Sequence, residues 1–244
     1  MKGSHRQYAQ DRVPQPRLQK VWNVPAWGTK EAAQLQLLSD ILASGKSSRL
    51  YKRIVYDEQL ATEVSSFTDT REIGSQFYIT ADAKPEVPLI KIEAIINEEL
   101  NRIIKQGITP AELERAKTQH FANMVKGLER VGGFGGKSDI LALNEVYGNS
   151  PDYYKKTNDF IRLATTEDLK KIAAEWLADG DYTLEIQPFP TLLAGTTDVD
   201  RTALPALGKS TAIKFPDVEK FTLSNGLQVM LARRTTVPVV NMRL

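Results

Sequence analysis

The chain has 244 residues, with 32 lysines and arginines against 30 acidic residues, a net charge of +2, and no cysteine. So balanced a charge excludes a global field that recruits nucleic acid or an anionic membrane surface, and the missing thiols exclude disulfides and thiolate metal sites. No apolar run reaches the roughly 20 residues that a spanning helix requires, and MKGSHRQYAQDRVPQP lacks the apolar core of a signal peptide.

Residues 1–16 are polar, carry two prolines and read as an extended arm or the end of a linker. RLQKVWNVPA (17–26) alternates as a strand does, and Gly28-Thr29 offers a turn and a helix N-cap ahead of KEAAQLQLLSDILAS, where Ala32, Leu35, Leu38, Ile41 and Leu42 recur at helical spacing. Gly45 stops that helix, and SSRLYKRIVYD forms a second, short one. From Leu60 the period changes to two. ATEVSSFTD and GSQFYITADA read as a strand hairpin joined by the polar turn TREIG. Pro85 and Pro88 precede a long helix with Leu89, Ile92, Ile95, Ile96, Leu100, Ile103 and Ile104 on one stripe, ended by Gly107. Thr109-Pro110-Ala111-Glu112 is a capping box with proline at the first helical position. ILALNEVYG, SPDYYKKTNDFIRLA and TTEDLKKIAAEWLA supply three more helical segments, and DYTLEIQPF one more strand.

This order predicts an α+β fold: a two-layer sandwich, a mostly antiparallel sheet with helices packed on one face, over 17–190. Residues 191–216 are rich in Thr, Gly, Ala and Pro without a period and read as a linker. Beyond them, Asn225-Gly226 between two alternating runs signals a hairpin, and VPVVNMRL begins another strand. A hairpin and one strand bury little, so 217–244 reads as the start of a second domain.

GGFGGKS (132–138) has the glycines, lysine and hydroxyl of a phosphate loop, but the position six residues before Lys137 is Val131, not glycine. A helical stretch, not a buried strand, precedes it, so the loop reads as a break between two helices. Glu98-Glu99 is an adjacent acid pair pointing about 100° apart on a helix, which suits a solvated face better than acid–base work. Trp22, Trp27 and Trp176 read as core or rim packing, and no Ser/His/Asp set can be assembled.

GKSSRLYKRIVYDEQLATEVSSF, GITPAELERAK and LSNGLQVMLARR followed by VPVV, in that order, resemble segments of the M16 zinc metallopeptidases, the pitrilysin and mitochondrial processing peptidase family. The resemblance implies the M16 (LuxS-like metallohydrolase) fold and a non-zinc domain followed by the start of another M16 domain. It also implies a peptide substrate in a closed chamber, and partners that are adjacent M16 domains or a partner subunit. The family's zinc motif H-x-x-E-H is absent: His5 and His120 are the only histidines, and Asn123 and Met124 follow His120 by three and four residues. The expectation is therefore no metal and no cofactor in this chain, with zinc in the parent protein, and His120 as a structural histidine. The family's substrate-holding arginine and tyrosine fall here on Val55 and Thr62. The turn holding Gly45, Lys46, Ser47, Ser48 and Arg49 aligns with a chamber loop of the processing peptidase's non-catalytic subunit. It is either a substrate contact or a plain turn between helices. An M16-like scaffold subunit without any zinc partner is the alternative function, and the bacterial periplasm the compartment the resemblance suggests.

Overall fold

The computed structural model describes residues 2–190 and 217–233, in two units, Met1–Thr191 and Leu192–Leu244. Period-two patterning builds the first unit's sheet. In β4 (Ser75–Ala83) every second residue, including Phe77, Ile79 and Ala81, is buried, while the residues between are half exposed. β2 (Arg17–Val24) buries Leu18, Lys20, Trp22 and Val24 on the same face, and Trp22 lies opposite Phe77 with the rings edge-on at 6.1 Å. With β1 (His5–Asp11), β3 (Ala61–Asp69) and β5 (Asp181–Pro188) the order is β1-β5-β2-β4-β3; β1 runs parallel to β5 and every other pair is antiparallel.

The helices lie on the buried face. α1 (Lys30–Ala43), capped by Thr29, touches β3 and the helices α3 (Pro110–Gly127), α5 (Tyr153–Leu163) and α6 (Thr166–Trp176), and ten of its 14 residues are buried. α2 (Leu89–Gln106) lays the predicted stripe against β2 and α6. Capping boxes at Thr109 and Thr165 start α3 and α6, and α4 (Lys137–Gly148) follows the glycine loop. The second unit contains a hairpin, β6 (Val218–Thr222) and β7 (Gln228–Ala232), turned at Asn225-Gly226, where Gly226 has φ 86° and the Asn225 carboxamide accepts from Leu227 N–H. The expected linker (191–216) and the strand in VPVVNMRL lie outside the described residues.

Two expectations need correction. The arm contains a strand: β1 pairs with β5 along its whole length although HRQYAQD shows no apolar alternation and Tyr8 is largely exposed. Backbone pairing and the Arg6 side chain hold this edge, so hydropathy carries no trace of it. The short helix after Gly45 widens into a π-helical segment (Tyr51–Asp57), with Glu58 N–H reaching back to the Arg53 carbonyl at 3.0 Å.

Inside the sheet–helix layer the Lys20 ammonium is buried. It donates to Asp181 at 2.6 Å, to Thr183 at 3.0 Å and to Glu93 on α2 at 3.3 Å, while Nη2 of Arg6 on β1 donates to both Glu93 oxygens at 2.6 and 2.7 Å and its Nη1 reaches Glu185. Burial pushes the Asp181 carboxyl up, but hydrogen bonds from Lys20 and Ser4 outweigh it and hold it below its ordinary value. Replacing Lys20 with Ala strands Asp181 without its cation and should cost about 3–5 kcal/mol in urea unfolding. Arg17→Ala, which opens the surface pair with Asp82, should cost under about 1 kcal/mol.

Candidate functional site

The turn after α1 is built from backbone outward. Ser44 N–H closes the helix on the Asp40 carbonyl at 2.9 Å, and Gly45 takes φ 77°, a left-handed conformation that glycine adopts without strain. Its carbonyl accepts from both the N–H and the hydroxyl of Ser48, at 3.1 and 2.7 Å. Of the five residues expected to contact substrate, Gly45, Lys46 and Ser47 stand in solvent, whereas Ser48 is fully buried. Arg49 leaves the turn: it forks onto Glu112 at 2.6 and 2.8 Å and donates to the Gly107 carbonyl at 3.4 Å. Arg49 therefore ties the turn to the start of α3, Ser48 closes the turn on itself, and Gly45, Lys46 and Ser47 are the exposed members of the five.

Glu112 does two jobs, since its carboxylate also accepts from the N–H and hydroxyl of Thr109. Burial raises its pKa, and the hydrogen bonds from Arg49 and Thr109 together with the Arg49 charge reverse that and hold it at about 2. The acid pair corrects the sequence reading. Glu98 is exposed, but Glu99 is buried, with Arg53 at 3.1 Å, Arg102 at 3.0 Å and Arg49 at 3.9 Å. Arg53 from the π-helical segment and Arg49 just before it reach across to α2, an encounter that the spacing of Glu98-Glu99 on its own helix does not encode.

The glycine loop spends its donors on itself. Gly136, Lys137 and Ser138 N–H groups bond to the carbonyls of Gly133, Arg130 and Val131, and Gly135 N–H bonds to the Asp139 carboxylate at 2.8 Å. A Cβ at Gly136 would meet the Gly132 oxygen at 2.6 Å, which explains a glycine at the α4 N-cap. An internal carboxylate thus occupies the place a phosphate would take.

The histidines do not fit zinc. His5 is exposed on β1 and His120 is half-buried on α3, edge-on to Phe121; burial depresses its basicity against a hydrogen bond with Asn158. Among the described residues no group of three histidine, cysteine or acidic side chains is arranged to hold a metal. Val55 packs on the core, and the Thr62 hydroxyl is tied to the Asp82 carbonyl and Gln15.

The fold and these self-paired clusters define an α+β sandwich domain in which no group among the described residues is arranged to hold a metal. Residues 2–120 match the family described as the peptidase M16 inactive domain. Over these residues, just under half of its length, the chain carries the inactive domain of the M16 peptidases. It is 29% identical over 163 residues to the zinc protease PqqE of Helicobacter pylori, a match covering 66% of this chain and 36% of that protein. The chain thus spans about a third of that curated relative. The crystal structure of a protease from Helicobacter pylori superposes with a TM-score of 0.69 at 24% identity, over 77% of this chain and 45% of that one. A peptidase M16 inactive domain from Pseudomonas fluorescens gives 0.64 at 18% identity, over 77% and 44%.

The Glu112 pKa fixes a pH dependence. Folded at about 2 and ordinarily at 4.5, it contributes stability that is fully present above pH 4.5 and is lost as pH falls toward 2. Discounted for solvent screening this is about 1 kcal/mol. Glu112→Gln should lower stability at pH 7 by about that amount and flatten the decline between pH 4.5 and 3, read by urea unfolding at each pH.

Proposed function

We propose that this domain walls the peptide chamber of an M16-type zinc peptidase and leaves water activation to a zinc-bearing domain of the parent protein or of a partner subunit. The observation that carries this reading is the asymmetry of the sheet. Helices cover one face; the other presents Gln19, Val21, Asn23, Tyr78, Tyr182 and Leu184 around a depression of about 330 Å³, and no helix of this unit lies over it. Alternating amide and aromatic or aliphatic side chains suit an extended peptide, which offers backbone polar groups and side chains at the same period. The exposed residues Gly45, Lys46 and Ser47 are proposed as a second contact with substrate, anchored by Ser48 and Arg49.

Residues 191–216 are proposed as the connection to a further M16 domain that opens at 217, on composition and on the hairpin at Asn225-Gly226. The relatives' printed names support the reading: one is a zinc protease and the other a mitochondrial presequence protease, from Eremothecium gossypii. The second reading, a scaffold subunit with no zinc partner, is equally consistent with the lack of a metal-holding group among the described residues.

The deciding experiment is peptide hydrolysis by the parent protein. It should be lost on chelation and restored by zinc, while this chain alone stays inert and retains no stoichiometric zinc after dialysis. Tyr78→Ser in the parent should raise KM about tenfold with kcat within about twofold, the signature of lost binding that is equal in ground and transition states. A parent that lacks H-x-x-E-H and is inert with zinc would leave the scaffold reading in place. The domain boundary has its own check: limited proteolysis should cut within 191–216 and release a core that keeps its melting transition.

A further inference from the structure

A half-open cavity of about 440 Å³ lies among α1, α3, α4 and α5, edged by Trp27 from the β2–α1 connection. Its size falls in the range of small-molecule sites. Its polar lining is unbalanced. Asp40 projects from α1, and no lysine or arginine is among the lining residues. The Asp40 carboxylate has one amide donor, Gln36, at a long 3.4 Å. Asn144 of α4 is buried, and its amide nitrogen is committed to the Ile140 carbonyl at 2.8 Å, which leaves its oxygen with no donor among the described residues. The Asp40 carboxylate, held by that one long bond, and the buried, donorless Asn144 oxygen belong to residues that line a space edged by Trp27 and Tyr154.

The geometry points to a binding site for a small organic cation, a guanidinium or primary ammonium group, held by Asp40 and the Asn144 carbonyl oxygen against the aromatic rim. Such a head group brings N–H donors, the charge that Asp40 lacks, and a flat or compact cation that an aromatic face attracts. An anion would meet Asp40 and find no cation. A neutral apolar molecule would leave both acceptors desolvated and unpaired, which costs affinity. The Asn158 amide is engaged with the Met124 sulfur at 3.1 Å and with His120, so that side of the cavity is already satisfied. The cation has two natural sources, a free amine or guanidine and the basic side chain of a peptide. The inference does not rest on the chamber reading.

The titratable groups that line the cavity are Asp40 on α1, His120 on α3 and Tyr154 on α5; α4 contributes none. Burial, offset in part by the Gln36 hydrogen bond, raises the Asp40 carboxyl to about 6, and burial, offset in part by the Asn158 hydrogen bond, lowers His120 below its ordinary value. Cation binding should therefore strengthen from pH 5 to pH 7.5.

Isothermal titration of the full chain at pH 7.5 with butylguanidinium and with butylurea, its uncharged isostere, tests this directly. We expect a Kd on the order of 1 mM for the cation, the ordinary efficiency of so small a ligand, and binding of the urea at least about tenfold weaker. Asp40→Asn removes a buried, weakly bonded carboxylate and should fold; it should abolish the preference for the cation, and Asn144→Leu should weaken cation binding several-fold. Should Asp40→Asn not fold, the pH profile and Asn144→Leu decide. Equal binding of the two isosteres, or an undiminished preference in the variants, overturns the proposal. Tighter binding of acetyl-Gly-Arg-Gly-amide than of butylguanidinium identifies a peptide side chain as the source; equal or weaker binding identifies the free base.

Discussion

An ammonium group sealed between a sheet and a helix is the constraint on which this domain turns. Lys20 is only 3% exposed, and a cation so placed is tolerable only if anions and hydroxyls meet it from several directions. They come from β5 through Asp181 and Thr183 and from α2 through Glu93, and Glu93 in turn holds Arg6 of β1. Three strands and one helix are thereby fixed in register by a single polar cluster, in a layer otherwise filled by Phe77, Ile79, Ile92 and Ile96. Apolar packing would accept several strand offsets. The cluster accepts one, because a slip of one residue would send Lys20 to the open face and leave two carboxylates behind.

The same contrast decides what was legible in the sequence. Elements with a hydrophobic period were readable: β4, the stripe of α2 and the capping box at Thr109 lie where spacing places them, because each is a local pattern with a local cause. β1 was not, since its residues are exposed on both faces and its partner is a distant strand. Nor was the widening of the helix at Tyr51–Asp57, which depends on how Glu58 meets the Arg53 carbonyl. The M16 resemblance compensated for these gaps at the level of fold, since it rests on the order of segments and not on any one of them.

Sites behaved likewise. The failure of the glycine loop as a phosphate cradle was readable from one misplaced residue, Val131, and the structure adds the cause: Asp139 already holds the loop's Gly135 N–H. The turn at Gly45 was found as a turn, but the division of labour within it was not, because Arg49 turns to Glu112, 63 positions away. The burial of Glu99 and the presence of Asp40 and Asn144 in the lining of one cavity were equally out of reach. They join residues from separate helices, and nothing in the spacing of either partner announces the other.

The position of β5 has a consequence for how the chain is made. This strand lies between β1 and β2, parallel to one and antiparallel to the other, yet it is the last strand of its unit to be synthesised. Until Asp181–Pro188 leaves the ribosome, the nascent chain holds two strands with a vacant slot between them and a buried-type lysine without its principal counter-ion. Closing the slot joins residues separated by more than 170 positions, as in the Arg6–Glu185 pair, so loop closure delays it and folding is slow by topology. During that interval the facing edges of β1 and β2 are open to any extended segment, including the same segment of another nascent copy. Rapid translation would thus trade yield for misassembly in this domain, and a pause or a holding chaperone near its last strand would favour the native sheet.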